Sequence, residues 1–167
     1  FLKYWGIDWI LFLCSLGPIY KAKIIADRFK IEKVFSDYEN MIMHSKPDGI
    51  LVLVSEKNIF NVTKSIMHYK IPLFIEKPPG LLPQETKIIA DFARENKVVT
   101  MVGYNRRYYS IFHKGIRIIK DHGDLLGVTI EGHERYWNLI DKKKEDILNA
   151  WLYVNSTHTL DLLRFFG

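Results

Sequence analysis

Residues 50–103 read ILVLVSEKNIFNVTKSIMHYKIPLFIEKPPGLLPQETKIIADFARENKVVTMVG. Three apolar runs stand out: Ile50–Val54, Pro72–Ile75 and Val98–Val102. Each is short and continuous, which predicts a buried strand. Helical spacing fills the intervals. In Asn58–Tyr69, Ile59, Val62, Ile66 and Met67 fall on one face. Pro83 suits the first turn of a second helix, which runs to about Asn96. Apolar strands alternating with amphipathic helices predict a parallel sheet covered on both faces. Its crossovers are expected to be right-handed.

The same rhythm extends upstream. Trp9–Cys14 is another apolar run, broken by Gly17-Pro18, and Ala22–Phe29 has helical spacing. Val34-Phe35 is a brief strand, and Ser36-Asp-Tyr-Glu39 is a capping-box pattern opening a helix toward Met43. Downstream of Gly103 the texture changes. Ile111–Lys120 and His158–Phe166 read as helices, Gly127–Trp137 alternates like a strand with one wet face, and Leu139–Glu145 is a polar loop. The loss of the strand–helix alternation predicts a second, α+β domain. Residues 1–103 are therefore expected to form one domain and residues 104–167 the start of another.

Composition narrows the function classes. The 167 residues are 48% hydrophobic and 26% charged, which excludes a disordered or collagen-like chain. No apolar run approaches the ~20 residues of a membrane helix. Cys14 is the only cysteine, so an intrachain disulfide is impossible and a reducing, cytoplasmic setting is expected. The net charge of +5 is spread over scattered lysines and does not suit a nucleic-acid-binding module. The chain opens on Phe1 and stops at Phe165-Phe166-Gly167, straight after an apolar run. Both ends read as cut from a longer protein.

In an open parallel sheet, ligands bind beyond the carboxyl ends of the strands. Those ends carry Cys14-Ser15, Ser55-Glu56, Glu76-Lys77-Pro78 and Gly103-Tyr104-Asn105-Arg106. Lys77 is held between a buried strand and a Pro-Pro-Gly turn whose prolines fix φ. From spacing alone two readings are open: a surface lysine paired with Glu76, or an ammonium aimed into a pocket where it handles a proton. Arg106 and Arg107 likewise suit either an anionic substrate group or an inter-domain salt bridge.

Three elements together resemble the Gfo/Idh/MocA oxidoreductases: Glu76-Lys77-Pro78 at a strand end, Gly103-Tyr-Asn-Arg-Arg107, and His158-x-x-Asp161-Leu-Leu-Arg164. The resemblance implies a Rossmann domain for NAD or NADP, then an α/β domain that supplies the substrate pocket and often the oligomer interface. It implies hydride transfer at a hydroxyl carbon of a sugar, cyclitol or sugar nucleotide. On this reading Lys77 and His158 are catalytic. Cys14, Ser15, Ser55, Glu76, Lys77 and Tyr104 are expected at the cofactor, and Asn105, Arg106, Asn155 and Asp161 at the substrate. No metal is expected, and the full-length protein is expected to be a homo-oligomer.

The chain also departs from the family. The first strand and its Gly-rich phosphate turn are not found, so the sheet is expected to lack its first strand. The 167 residues alone are accordingly expected to be inactive. Val154 stands where the family often has an Asp, four residues before the histidine, with Asn155 and Ser156 as nearby polar substitutes. A hydrogen-bonded core histidine is the other reading of His158. No acid follows the Trp9–Cys14 strand, while Lys21 and Lys23 lie shortly after. This leans toward NADP and leaves NAD open. His133, with Arg135 and Trp137 on the alternating strand, suits a sugar pocket or plain sheet packing. A non-catalytic binding or scaffold protein of the same fold is the alternative to an enzyme.

Overall fold

The computed structural model describes residues 10–133 and 148–167. The chain divides between Asp48 and Gly49 into two compact units.

The first unit holds β1 (Phe12–Cys14), α1 (Ile19–Phe29), β2 (Lys33–Phe35) and α2 (Tyr38–Ser45). β1 and β2 pair in parallel, with Phe12 opposite Lys33 and Cys14 opposite Phe35. Ala22 and Ala26, one turn apart on α1, are buried, as is Ile42 of α2. The cap of α2 is not Ser36. Asp37 takes that place, its carboxylate accepting the Asn40 N–H at 2.7 Å. Asp37 has the extended backbone an N-cap needs, and it leaves the N-terminal donors one residue later than the capping-box pattern implied.

The second unit holds β3 (Ile50–Val52), α3 (Ile59–Ile66), a 3-10 turn (Met67–Tyr69), β4 (Leu73–Ile75), α4 (Pro83–Asn96) and β5 (Thr100–Val102). A second 3-10 turn (Asn105–Tyr108), α5 (Ser110–Lys120), the single-turn α6 (Trp151–Val154) and α7 (Thr157–Phe166) follow. The strands run in the order β3-β4-β5, all parallel, with Ile50 opposite Leu73 and Leu73 opposite Thr100. Ile59 and Ile75 are fully buried, and Val52, Ile66, Met67, Leu73, Ile89 and Ala93 complete the core around them.

Among the described residues of the second unit, both crossover helices lie on one face of the sheet. Val52 and Ile75 point into the core, whereas Leu51 and Leu53 are each 62% exposed. The reason is topological. The strand order advances in one direction, and right-handed crossovers then put both crossover helices on the same face. α3 and α4 do pack against each other.

The strand expected at Gly127–Trp137 is absent over its described part, residues 127–133. Among the described residues no strand lies beside them to complete a ladder, and alternation alone does not hold an extended chain. Residues 1–9, Arg135, Trp137 and the 139–145 loop lie outside the described residues.

Candidate active site

The carboxyl ends of β3, β4 and β5 form one edge of the second unit. The ladder continues past the strands, with Glu76 N donating to Val52 O at 3.0 Å and Gly103 N donating to Ile75 O at 2.9 Å. Glu76 and Gly103 are thereby fixed in register. The Glu76 carboxylate lies over Gly103, where an added Cβ would come within 3.2 Å of Oε2. Ser55 is exposed beyond β3, its hydroxyl accepting from Asn58 Nδ2 at 3.1 Å.

Lys77 is half-buried and does not pair with Glu76. Its ammonium donates to the Val154 carbonyl at 2.8 Å, a contact between residues 77 apart in the chain. That carbonyl ends α6, four residues before His158. A backbone acceptor has no residue signature, so sequence reading saw only the lost carboxylate at Val154.

His158 is 8% exposed, near the start of α7. The Tyr104 ring meets it edge-on, with centroids 6.1 Å apart and planes at 82°. Burial raises the Tyr104 hydroxyl pKa; the Asp161 charge adds to the rise and Arg107 opposes it. Arg107 forms an ion pair, but its partner Asp161 lies in the same 104–167 segment rather than across the expected domain boundary. Nε donates to Asp161 Oδ2 at 2.9 Å, and Nη2 donates to Oδ1. The hydrogen bond to Asp161 raises the Arg107 pKa further. The guanidinium also stands over the Phe165 ring, 5.8 Å from its centroid. Both oxygens of Asp161, expected at the substrate, are thus engaged by Arg107. Asn105 is exposed on the second 3-10 turn, and Arg106 and Asn155 are half-buried.

The segment reading of 127–137 is replaced by a close approach. Gly132 passes over α7 so tightly that a Cβ would sit 2.5 Å from Thr159 Oγ1. His133 next to it is exposed and lies 3.5 Å from Glu131.

The second unit therefore brings together Lys77, Tyr104, His158 and Asp161, with Val154 and Arg107 between them. Cys14 and Ser15 belong to the first unit. Ser15 Oγ accepts from Gly17 N at 3.2 Å, and the Cys14 thiol pKa is raised by burial first and by Asp37 second. Among the described residues, no cluster of His, Cys, Asp and Glu is placed to hold a metal ion. No helix among them is long and apolar enough to cross a membrane.

A strand–helix alternation with a polar strand-end edge defines a nucleotide-binding α/β class. Residues 18–104 match the family model described as oxidoreductase family, NAD-binding Rossmann fold (Gfo/Idh/MocA), and the chain belongs to that family. It is 29% identical over 105 residues to the uncharacterized oxidoreductase YrbE of Bacillus subtilis, covering 63% of this chain and 30% of that protein. Two solved structures share its fold. Myo-inositol 2-dehydrogenase from Lactobacillus plantarum matches at a TM-score of 0.75 and 21% identity, over 97% of this chain and 49% of the other. Levoglucosan dehydrogenase in complex with NADH matches at 0.71 and 16%, over 94% and 44%. The chain spans less than a third of the length of the curated relatives it matches.

The donor set at the second unit's edge fits one end of such a cofactor. A serine hydroxyl, a carboxylate, an ammonium and a phenol stand beyond adjacent strands, which is the chemistry that meets ribose hydroxyls and an amide.

Proposed function

We propose that this chain is part of an NAD(P)-dependent oxidoreductase that moves hydride to or from a hydroxyl carbon of a sugar, cyclitol or sugar nucleotide. The observation that carries the reading is the Lys77 hydrogen bond to Val154 O. It draws the lysine of Glu-Lys-Pro to the turn that leads into His158. Residues 1–103 make the dinucleotide-binding domain on this reading, and residues 104–167 begin the substrate domain.

The bound nicotinamide supplies the hydride acceptor or donor. The remaining chemistry belongs to side chains. The Lys77 ammonium keeps one N–H on the Val154 carbonyl and has others to donate to the substrate oxygen, stabilising negative charge developing there. His158, largely removed from water, takes the hydroxyl proton or returns it. Tyr104 walls the imidazole, and its phenol stays protonated and able to donate. Ser55 and Glu76 are assigned to the cofactor in the second unit, and Cys14 and Ser15 keep the cofactor assignment that the family resemblance gives them. Asn105, Arg106 and Asn155 face the substrate, and Asp161 acts there through Arg107. No acid follows β1 directly, as one would in a site selective for the free ribose hydroxyl, which keeps NADP open beside NAD.

The test uses the full-length protein. Oxidation of a cyclitol and sugar panel is followed by absorbance of the reduced cofactor, with NAD+ and with NADP+. Lys77→Met is expected to lower turnover by ~10²-fold or more. Turnover within a few-fold of wild type would overturn the assignment of Lys77. Cofactor binding with no turnover on any polyol would favour a binding protein of the same fold.

A further inference from the structure

We infer that Arg107 and Asp161 are positioning residues for His158, forming one of two anchors that hold the segment around it, the end of α6 and the start of α7, against the strand ends. The inference rests on the reading of His158 as the proton-handling group. It adds two residues that touch neither hydride nor hydroxyl.

The geometry is a pair of rungs between two short segments. One segment, running from the end of β5 into the 3-10 turn, carries Tyr104 and Arg107. The other, the first turns of α7, carries His158 and Asp161. Each pair is spaced by three residues, so within each segment both side chains project to the same side. Tyr104 meets His158 ring to ring, and Arg107 meets Asp161 charge to charge. The ionic rung is forked, and a guanidinium fork on a carboxylate fixes orientation as well as distance. The Asp161 side chain is only 7% exposed, so water competes weakly for it. Arg107 grips a second point of the same helix at Phe165, one turn beyond Asp161.

The other anchor lies on the far side of the histidine. Lys77 holds the Val154 carbonyl four residues before His158, and Arg107 holds Asp161 three residues after it. His158 is therefore bracketed in the chain by two contacts, one at the end of α6 and one on α7, made by residues that follow β4 and β5. Where the family often has an acid beside the histidine, this chain has Val154. Holding α7 at Asp161 and the preceding turn at Val154 substitutes for orienting the ring directly. A catalytic ring displaced by about 1 Å can lose on the order of 10²-fold in rate.

The experiment compares Asp161→Asn, Arg107→Lys and Asp161→Glu in the full-length protein. Two readouts are taken: steady-state kinetics with cofactor-binding affinity, and the His158 ring resonance in histidine-labelled protein, assigned by its loss in His158→Gln. Asp161→Asn is expected to move the His158 resonance and to lower kcat by ~10-fold to 10²-fold, with cofactor affinity within twofold. Arg107→Lys keeps the charge but loses the fork, and should show the same pattern in weaker form. Asp161→Glu retains a carboxylate and should recover a large part of the loss. The proposal is overturned if the resonance stays put in both Asp161→Asn and Arg107→Lys, or if Asp161→Glu is as impaired as Asp161→Asn. Should Asp161→Asn fail to fold, Arg107→Lys decides on the same criteria. The resonance reports ring position whether or not hydride is transferred. A moved resonance in a protein without turnover would thus support the anchor while sinking the proposed reaction.

Discussion

The two edges of the strands are built by different means. At the carboxyl edge of the second unit, the defining contacts join residues far apart: Lys77 to Val154 across 77 positions, and Arg107 to Asp161 across 54. At the amino edges, the helix closures are local. Lys30, Lys46, Lys70 and Lys97 each close a helix with a left-handed backbone at φ 55, 45, 56 and 55°. Each donates its N–H to a carbonyl of the turn just before it, three or four residues back. The next strand begins three or four residues later. One edge is held by tertiary partners and the other by turn chemistry. A local edge should therefore answer to local substitution, and the tertiary edge to changes far away in sequence.

The largest expected effect falls on the tertiary edge. Gly132→Ala would drive a methyl group into Thr159 on the helix of His158. Overpacking of this kind costs about 1–3 kcal/mol, to be read as a shift in the urea midpoint. Thr159→Ala removes the atoms in the way, so the double variant should lie well above the sum of the two single effects. Simple additivity would show that the close approach at Gly132 does not exist.

The local edge should respond in the opposite sense. A lysine at φ 55° strains its Cβ against the following carbonyl, at about 1–2 kcal/mol relative to a residue without one. Glycine carries an entropic cost of its own, roughly 0.5–1 kcal/mol. Lys97→Gly is therefore expected to raise stability by up to ~1 kcal/mol, measured as a rise in Tm. Activity should not change, because Lys97 closes α4 at the edge away from Lys77. A loss of stability would mean that the lysine side chain contributes more than its backbone conformation costs.

The contrast also explains what could be read from the chain. Strand and helix positions across 50–103 were legible, because apolar runs and 3.6-residue spacing are local properties of the sequence. The Glu76-Lys77-Pro78 edge was legible because parallel strands direct their carboxyl ends to one side. Where Lys77 reaches was not legible. Its acceptor is a backbone carbonyl, which Val154 shares with every other residue. The partner of Arg107 was not legible, because only the fold brings Asp161 of α7 to the 3-10 turn. The strand expected at Gly127–Trp137 failed over its described part for the converse reason. Alternation is a local signal, but a strand exists only when a neighbour accepts its hydrogen bonds.

The smallest expected effect separates burial from charge at the end of β1. Cys14 is half-buried, and its thiol pKa is raised mainly by burial, with a smaller contribution from Asp37. A raised pKa means that the folded chain keeps its proton where the unfolded chain has already lost it. Folding stability from this group is thus fully present below the ordinary thiol range and is lost as pH rises through the folded value. The same shift lowers the thiolate fraction near neutral pH, and the thiolate is the nucleophile. Iodoacetamide should therefore alkylate Cys14 more slowly in the folded protein than in urea at the same pH. Asp37→Asn removes the charge and keeps an N-cap of equal quality for α2. It should quicken alkylation only slightly, because burial, the larger cause, is untouched. If Asp37→Asn restored the unfolded rate, charge rather than burial would govern this strand end. It would then respond to its ionic surroundings, as the Tyr104 end responds in part to Asp161 and Arg107.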